Sequence, residues 1–340
     1  MKIESPHTRT DSCQGCSPIK HLVTGGAGYI GSALVPRLLK AAHDVRVLDD
    51  FSLSSPRNLI GTDARSYEFV RGDVRDADDA ARAVEGVDAV IHLAGITGAA
   101  TSHEKEEEVR SVNAGGTRTV VEAAEDAGVE RIVLASSCNV YGETYEEELT
   151  EESEPKPGNP YAESKLTAEE VVADSELESV SIRMATNFGY SPGVRFNLVV
   201  NSFVFRALTG EPLTVYGDGT NWRPYLHVRD SARAFEAAVN WDPGIYNVGV
   251  GNYRIEEVAD AVAAEVGSDV NITYMEERDP GPSYHVRFER MQGVGFEPEY
   301  TLQAGISDLT QRFTDDQPRQ FVGGQTEETN GDLVEHSTHD

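Results

Sequence analysis

Positive charge is what this chain has least of. Lysine occurs at six positions only (Lys2, Lys20, Lys40, Lys105, Lys156 and Lys165), and 29 basic residues face 58 acidic ones, for a net charge of −29. Such a surface repels phosphate backbones and anionic bilayers, which excludes nucleic acid and membrane surfaces as partners. It suits a salt-rich cytoplasm, where the Debye length shrinks to about 3 Å and self-repulsion fades. A halophilic source is therefore expected. Long apolar runs are missing too. No stretch nears the ~18 residues of a membrane-spanning helix, and the first twenty residues lack the apolar core of a signal peptide. A soluble, cytoplasmic protein is expected. Cysteine is scarce, with three residues, which excludes a disulfide scaffold and fits a reducing compartment. Cys13 and Cys16 form a C-x-x-C in a polar leader with no second ligand pair, so neither zinc nor thiol redox chemistry is expected there. No metal-ligand cluster is evident elsewhere.

What is present is an alternation. The 340 residues suffice for one large α/β unit or two closely joined lobes. Residues 1–19 read as a disordered leader and 323–340 as a disordered acidic tail. Between them, short apolar strands at 21–24, 45–49, 67–70, 89–93 and 131–136 alternate with helical stretches at 31–42, 104–126 and 161–174. That pattern predicts an α/β fold, a Rossmann-type doubly wound parallel sheet built mainly from 20–180. Residues 181–322 are punctuated by glycine and proline and read as a smaller α/β substrate lobe with some return to the sheet. Pro36 falls inside the first helix and is expected to kink or break it.

After the first strand comes Thr24-Gly-Gly-Ala-Gly-Tyr-Ile-Gly31. It satisfies G-x-G-x-x-G through Gly26, Gly28 and Gly31, and G-x-x-G-x-x-G through Gly25, Gly28 and Gly31. Missing side chains let the backbone turn tightly and approach a diphosphate seated on the next helix. Asp49 lies 18 positions past Gly31, near the spacing expected of a carboxylate that binds the adenosine ribose. A carboxylate there repels a 2′-phosphate, so NAD is favoured over NADP.

Tyr161 and Lys165 share one helical face in Asn-Pro-Tyr-Ala-Glu-Ser-Lys-Leu. A tyrosine with a pKa near 10 is a poor base at neutral pH. A lysine ammonium one turn away, together with the positive ring of NAD⁺, favours the phenolate. The stretch Ser136-Ser-Cys-Asn-Val-Tyr-Gly142 is more open. Cys138 could be a nucleophile, a metal ligand or a space-filler, and a neighbouring serine could be the working hydroxyl.

The segments TGGAGYIGS, VLDD, GDVRD, IHLAG, VNAGGT, SSCNVYG and YAESK occur in the order and spacing of the extended short-chain dehydrogenase/reductases. Over roughly residues 20 to 315 the chain resembles their NAD-dependent epimerase/dehydratase branch, which includes UDP-glucose 4-epimerase. The resemblance implies that Ser137, Tyr161 and Lys165 form the catalytic trio. It implies that Gly25, Gly28, Tyr29, Ile30, Gly31 and Asp49 hold NAD, that Asp73 and Val74 flank its adenine, that Leu93, Ala94 and Gly95 line its middle, and that Asn113, Tyr161 and Lys165 also bind the cofactor. Asn113 would support the active-site helix. Asn139, Asn197, Leu198, Tyr216 and Arg223 resemble contacts to a nucleotide-diphosphate sugar, and Arg278 a second phosphate clamp, although Pro280 and Pro282 disturb its usual spacing. The family's asparagine after the sixth strand gives way to Thr186, with Asn187 one place later. A homodimer packed through the helices at 104–126 and 161–174 is also implied.

The resemblance leaves several activities open. The leading expectation is an NAD-dependent nucleotide-sugar epimerase, with a nucleotide-sugar dehydrogenase or reductase as the alternative. Resembling 4,6-dehydratases carry an Asp-Glu pair directly after the catalytic hydroxyl, where this chain has Cys138 and Asn139. Non-catalytic NAD sensors of the same fold usually lack the Tyr/Lys pair kept here. Glu104–Glu108 and Glu146–Glu154 read as solvated acidic runs, and His92 as a core histidine.

Overall fold

Strand and helix alternate from the start in the computed structural model, which describes residues 19–63, 65–142, 148–267, 269–275, 277 and 281–315. The strand β1 (Lys20–Thr24) leads through the glycine turn into α1 (Gly31–Lys40), then β2 (Asp44–Asp49), β3 (Tyr67–Arg71), α2 (Ala77–Val84) and β4 (Ala89–His92). Next, α3 (Glu106–Arg110) passes through a π-helical turn at 111–115 into α4 (Gly116–Asp126). β5 (Arg131–Ser137), α5 (Pro160–Ala173) and β6 (Glu178–Met184) complete the series. The expected helix at 104–126 is thus two helices joined by one wide turn. Residues 21–24 of β1 are all buried, as a parallel strand covered on both faces requires.

Contrary to expectation, α1 runs unbroken through Pro36. Proline inside a helix costs about 3 kcal/mol, but Leu34, Val35 and Leu38 beside it are fully buried. Each such side chain contributes roughly 1.5–3 kcal/mol, so packing holds the helix where local preference would not.

The second half begins with β7 (Thr186–Phe188), α6 (Val199–Leu208), β8 (Leu213–Tyr216), β9 (Trp222–His227) and α7 (Val228–Ala238). It continues through β10 (Gly244–Val248), β11 (Gly251–Arg254), α8 (Ile255–Val266), β12 (Ile272–Met275), α9 (Glu289–Gly293) and α10 (Leu302–Asp315). β10 returns to the large sheet, whose order is β10-β6-β5-β4-β1-β2-β3, with every neighbouring pair parallel. Two small sheets, β11-β9-β7 and β12-β8, belong to a separate core that includes Phe188, Phe203, Leu213, Val258 and Ile306.

The order reverses between β1 and β4. The chain winds outward from β1 to β3, then comes back to build β4, β5 and β6 on the other side. Such a reversal opens a crevice beyond the carboxyl ends of the strands, where α/β proteins bind ligands. No helix among the described residues is long and apolar enough to cross a membrane. No group of three or more His, Cys, Asp or Glu among them is placed to hold a metal.

Candidate active site

The two walls of the crevice touch through backbone. Gly25 has φ +66°, and a Cβ there would lie 2.8 Å from the Ala94 nitrogen, so the position suits glycine both conformationally and sterically. The Gly25 amide donates to the Leu48 carbonyl at 2.8 Å, and the Leu93 amide to the Thr24 carbonyl at 3.1 Å. Asp49, buried at the end of β2, braces the turn: its Oδ2 accepts the Ala27 amide at 2.9 Å. Its Oδ1 accepts the Phe51 amide at 3.0 Å and the Ser54 hydroxyl at 2.7 Å. At the start of α1, the amides of Tyr29 and Ile30 donate to no backbone carbonyl among the described residues. The first turn of α1 carries no acid. Free amides, a positive helix end and no competing carboxylate make an anion cradle. One strand outward, Val74 is buried and Asp73 pairs with Arg75, whose hydrogen bonds hold the carboxyl below its usual range.

Beneath Ala94 a histidine sets the end of β4. Thr117 Oγ1 donates to the Asn113 carbonyl at 2.5 Å, so at 3.1 Å it accepts from His92 Nε2. The neutral ring then accepts the Thr24 hydroxyl on Nδ1 at 2.7 Å. Burial holds His92 neutral, with its pKa pushed down to about 3. His92 is a core residue, as expected from its setting.

The structure brings Ser137, Tyr161 and Lys165 together at the carboxyl edge of β5. α5 starts where it does because Asn159 Oδ1 caps the Ala162 amide at 2.9 Å and Pro160 occupies the first turn. Ser137 hydrogen-bonds the Tyr161 hydroxyl and also accepts the Asn139 amide at 3.2 Å. Lys165 Nζ donates to the Ala135 carbonyl at 2.8 Å. A Cβ on Gly95 would stand 2.9 Å from Asn113 Oδ1 and 3.2 Å from Lys165 Nζ, which leaves room for hydrogen alone. Asn113 ties loop to helix: its side chain exchanges bonds of 2.7 and 3.0 Å with the Ile96 backbone and donates to Ser164 Oγ at 2.9 Å.

Burial raises the Tyr161 pKa and pushes Lys165 down to about 8. Desolvation opposes charge on both groups, but a lysine at about 8 still keeps its proton at neutral pH. The Arg195 guanidinium also favours the phenolate.

Sequence reasoning missed the support under Ser137. Ser136 Oγ donates to Glu169, four residues past Lys165, and Glu169 accepts Arg183 Nη2 at 2.7 Å and Nε at 3.0 Å. Both side chains are 4% exposed or less. Cys138 is buried, donates its thiol to the Arg183 carbonyl at 3.1 Å and is held protonated by desolvation. It packs with Val140, Tyr141 and Tyr284 as a space-filler.

Residues 21–249 match the family described as the NAD dependent epimerase/dehydratase family. The low-salt glycan biosynthesis protein Agl12 of Haloferax volcanii is 33% identical, over 84% of this chain and 95% of that protein. A UDP-glucose 4-epimerase of Streptomyces lividans is 32% identical, over 85% of this chain and 94% of its own. The crystal structure of DesIV, a dTDP-glucose 4,6-dehydratase from Streptomyces venezuelae with NAD bound, superposes with a TM-score of 0.79 at 30% identity, covering 88% of this chain and 98% of that one. The chain belongs to the NAD-dependent epimerase/dehydratase family.

The cofactor of this family member is NAD, and the crevice fits it. The amides at the start of α1 suit its diphosphate, and Asp49 stands where the adenosine ribose would be met.

The substrate side is more dispersed. Thr186 and Asn187 lie on β7, but Asn187 spends its side chain on Ser231 Oγ and the Ala185 carbonyl, so its amide serves the fold. Asn197 Oδ1 accepts Arg195 Nε at 3.3 Å. Leu198 is the N-cap of α6, which has no side-chain cap and no acid in its first turn. Asn139 is partly buried beside Ser137. Tyr216, at the end of β8, is 42% exposed. Arg223 lies over the Tyr284 ring at 5.4 Å, and Tyr284 in turn stands close enough to Tyr161 for their charges to interact. Arg278, Cys13, Cys16 and both terminal tails lie outside the described residues. Arg195 and Tyr284 left no signal in the sequence, because both reach the site from loops.

Proposed function

We propose that the protein is an NAD-dependent nucleotide-sugar epimerase, similar in reaction to UDP-glucose 4-epimerase. The observation that carries this reading is the residue pair after the catalytic hydroxyl. Cys138 is buried, protonated and spent on the Arg183 carbonyl. Asn139 has no ionisable group. Neither can serve as the acid and base that a 4,6-elimination of water needs, which leaves oxidation and return of one sugar carbon. Tyr161 holds the sugar hydroxyl and takes its proton, Ser137 orients the same oxygen, and Lys165 fixes the end of β5 through the Ala135 carbonyl. Bound NAD supplies the hydride acceptor and donor. Asn197, the α6 amides at Leu198, Tyr216 and Arg223 hold the nucleotide diphosphate. Residues 20–180 then act mainly as the NAD-binding part and 181–322 as the substrate part. The reading includes a cytoplasmic homodimer formed through the helices at 104–126 and 161–174.

The test is incubation with NAD and UDP-glucose, UDP-galactose or their N-acetyl forms in molar salt. Interconversion of 4-epimers without net NADH supports the reading. Net NADH points to a dehydrogenase, and a 4-keto-6-deoxy product to a dehydratase, the activity suggested by the DesIV likeness.

A further inference from the structure

Arg195 sits partly buried in the strap at 189–198 that joins β7 to α6. This strap is stitched to the glycine turn. Tyr29 Oη donates to the Gly189 carbonyl at 2.7 Å, and Ser191 Oγ to the Tyr29 carbonyl at 2.8 Å. Asn201 Nδ2 donates to Tyr29 Oη at 3.3 Å and to the Arg195 carbonyl at 3.0 Å. The backbone of Arg195 is therefore fixed by the turn itself. Its guanidinium donates to Thr97 Oγ1, in the loop after β4, and to Asn197 Oδ1. Its charge also favours the ionised form of both Tyr161 and Tyr29. One cation thus faces the turn, the β4 loop and the catalytic helix together.

The partners it lacks are as informative. The chain has two acids for every base, and Arg46, Arg131, Arg183, Arg229, Arg233 and Arg312, all partly or fully buried, each pair with a carboxylate. Arg195 pairs with none among the described residues; its two side-chain hydrogen-bond partners are neutral oxygens. Withdrawing a cation from water against neutral groups costs free energy that a bound anion would offset. Two helix ends suited to anions flank it. α1 and α6 both begin without a side-chain cap and without an acid in the first turn. Arg195 lies beside the first through Tyr29 and three residues before Leu198, the N-cap of the second.

We propose that Arg195 binds the diphosphate of a nucleotide ligand in the crevice between these two helix ends. A planar guanidinium matches paired phosphate oxygens and strengthens bonds that backbone amides alone would make. The diphosphate comes either from NAD, on the α1 side, or from the nucleotide sugar, on the α6 side; the second source rests on the function proposed above.

The experiment is titration calorimetry of wild type and Arg195→Gln, in molar salt, with NAD, UDP, dTDP and uridine. A loss of about tenfold or more in affinity for NAD or for a nucleoside diphosphate, at an unchanged melting temperature, supports the proposal, as a lost charge-assisted bond predicts. Whichever ligand weakens names the source, and uridine, having no phosphate, should bind both proteins alike. Arg195→Lys should keep part of the lost affinity. Affinities within about twofold of wild type for every diphosphate overturn the proposal, as do losses that extend equally to uridine. If wild type binds NAD but neither UDP nor dTDP, the nucleotide-sugar reading falls, and the NAD titration alone decides the role of Arg195.

Discussion

Replacing Arg183 with methionine would leave the Glu169 carboxylate in a buried site with Ser136 as its remaining hydrogen-bond donor. The two partners are 3% and 4% exposed and joined by bonds of 2.7 and 3.0 Å. Removing one member of a pair so buried costs about 3–5 kcal/mol. At roughly 2.1 cal/mol/K of unfolding entropy per residue, each kcal/mol moves the melting temperature of a 340-residue chain by about 1.4 °C, so Arg183→Met should melt about 4–7 °C below wild type. Salt should not rescue it, because counterions with a Debye length of about 3 Å in molar salt do not enter the core. Arg65→Met is the control. Its pair with Asp63 is 90% and 50% exposed, and solvent screening leaves such a surface pair with little effect on stability. The double variant Glu169→Met/Arg183→Met removes both charges and should recover most of the lost stability. It should not recover turnover, because Glu169 is the charge that favours the protonated form of Lys165 against burial. Thermal unfolding in 3 M KCl by circular dichroism is the assay. A melting point for Arg183→Met within about 2 °C of wild type would refute this account of the pair.

Three further outcomes are expected. Tyr161→Phe should abolish turnover while leaving NAD bound, since it removes the proton-transfer hydroxyl and keeps the ring that the cofactor would contact; activity above about 1% of wild type would count against the assignment. Buried His21, His92 and His227 have pKa values pushed down to about 4, 3 and 4, chiefly by burial. The unfolded chain, with histidine near 6.5, then binds more protons than the folded one as pH falls from about 6.5 toward 4. Stability should drop across that window, and an unfolding free energy that stays flat there would contradict the buried-neutral reading. The net charge of −29 predicts a melting temperature that climbs between about 0.1 M and molar salt as self-repulsion is screened; equal melting points at both would remove the halophilic expectation.

Much was determined by the sequence alone. The glycine turn after an apolar strand, Asp49 at the end of the next, and Tyr161 and Lys165 one helical turn apart are local patterns, and periodicity and spacing carry them. The parallel sheet followed from the same alternation. What the tertiary structure decided was set by neighbours distant in sequence. α1 survives Pro36 because Leu34, Val35 and Leu38 are packed. Asn187 turns to Ser231 across 44 residues. Burial, which no local pattern reports, opposes charge on both Tyr161 and Lys165. Cys138 beside two serines reads as possible chemistry in one dimension; the Arg183 carbonyl, 45 residues away, makes it a protonated filler. Arg195 is the clearest case. In sequence it is one arginine in a glycine- and proline-rich loop, and only the fold, by threading that loop against Tyr29 and Thr97, keeps every described carboxylate away from it and leaves its charge facing the crevice.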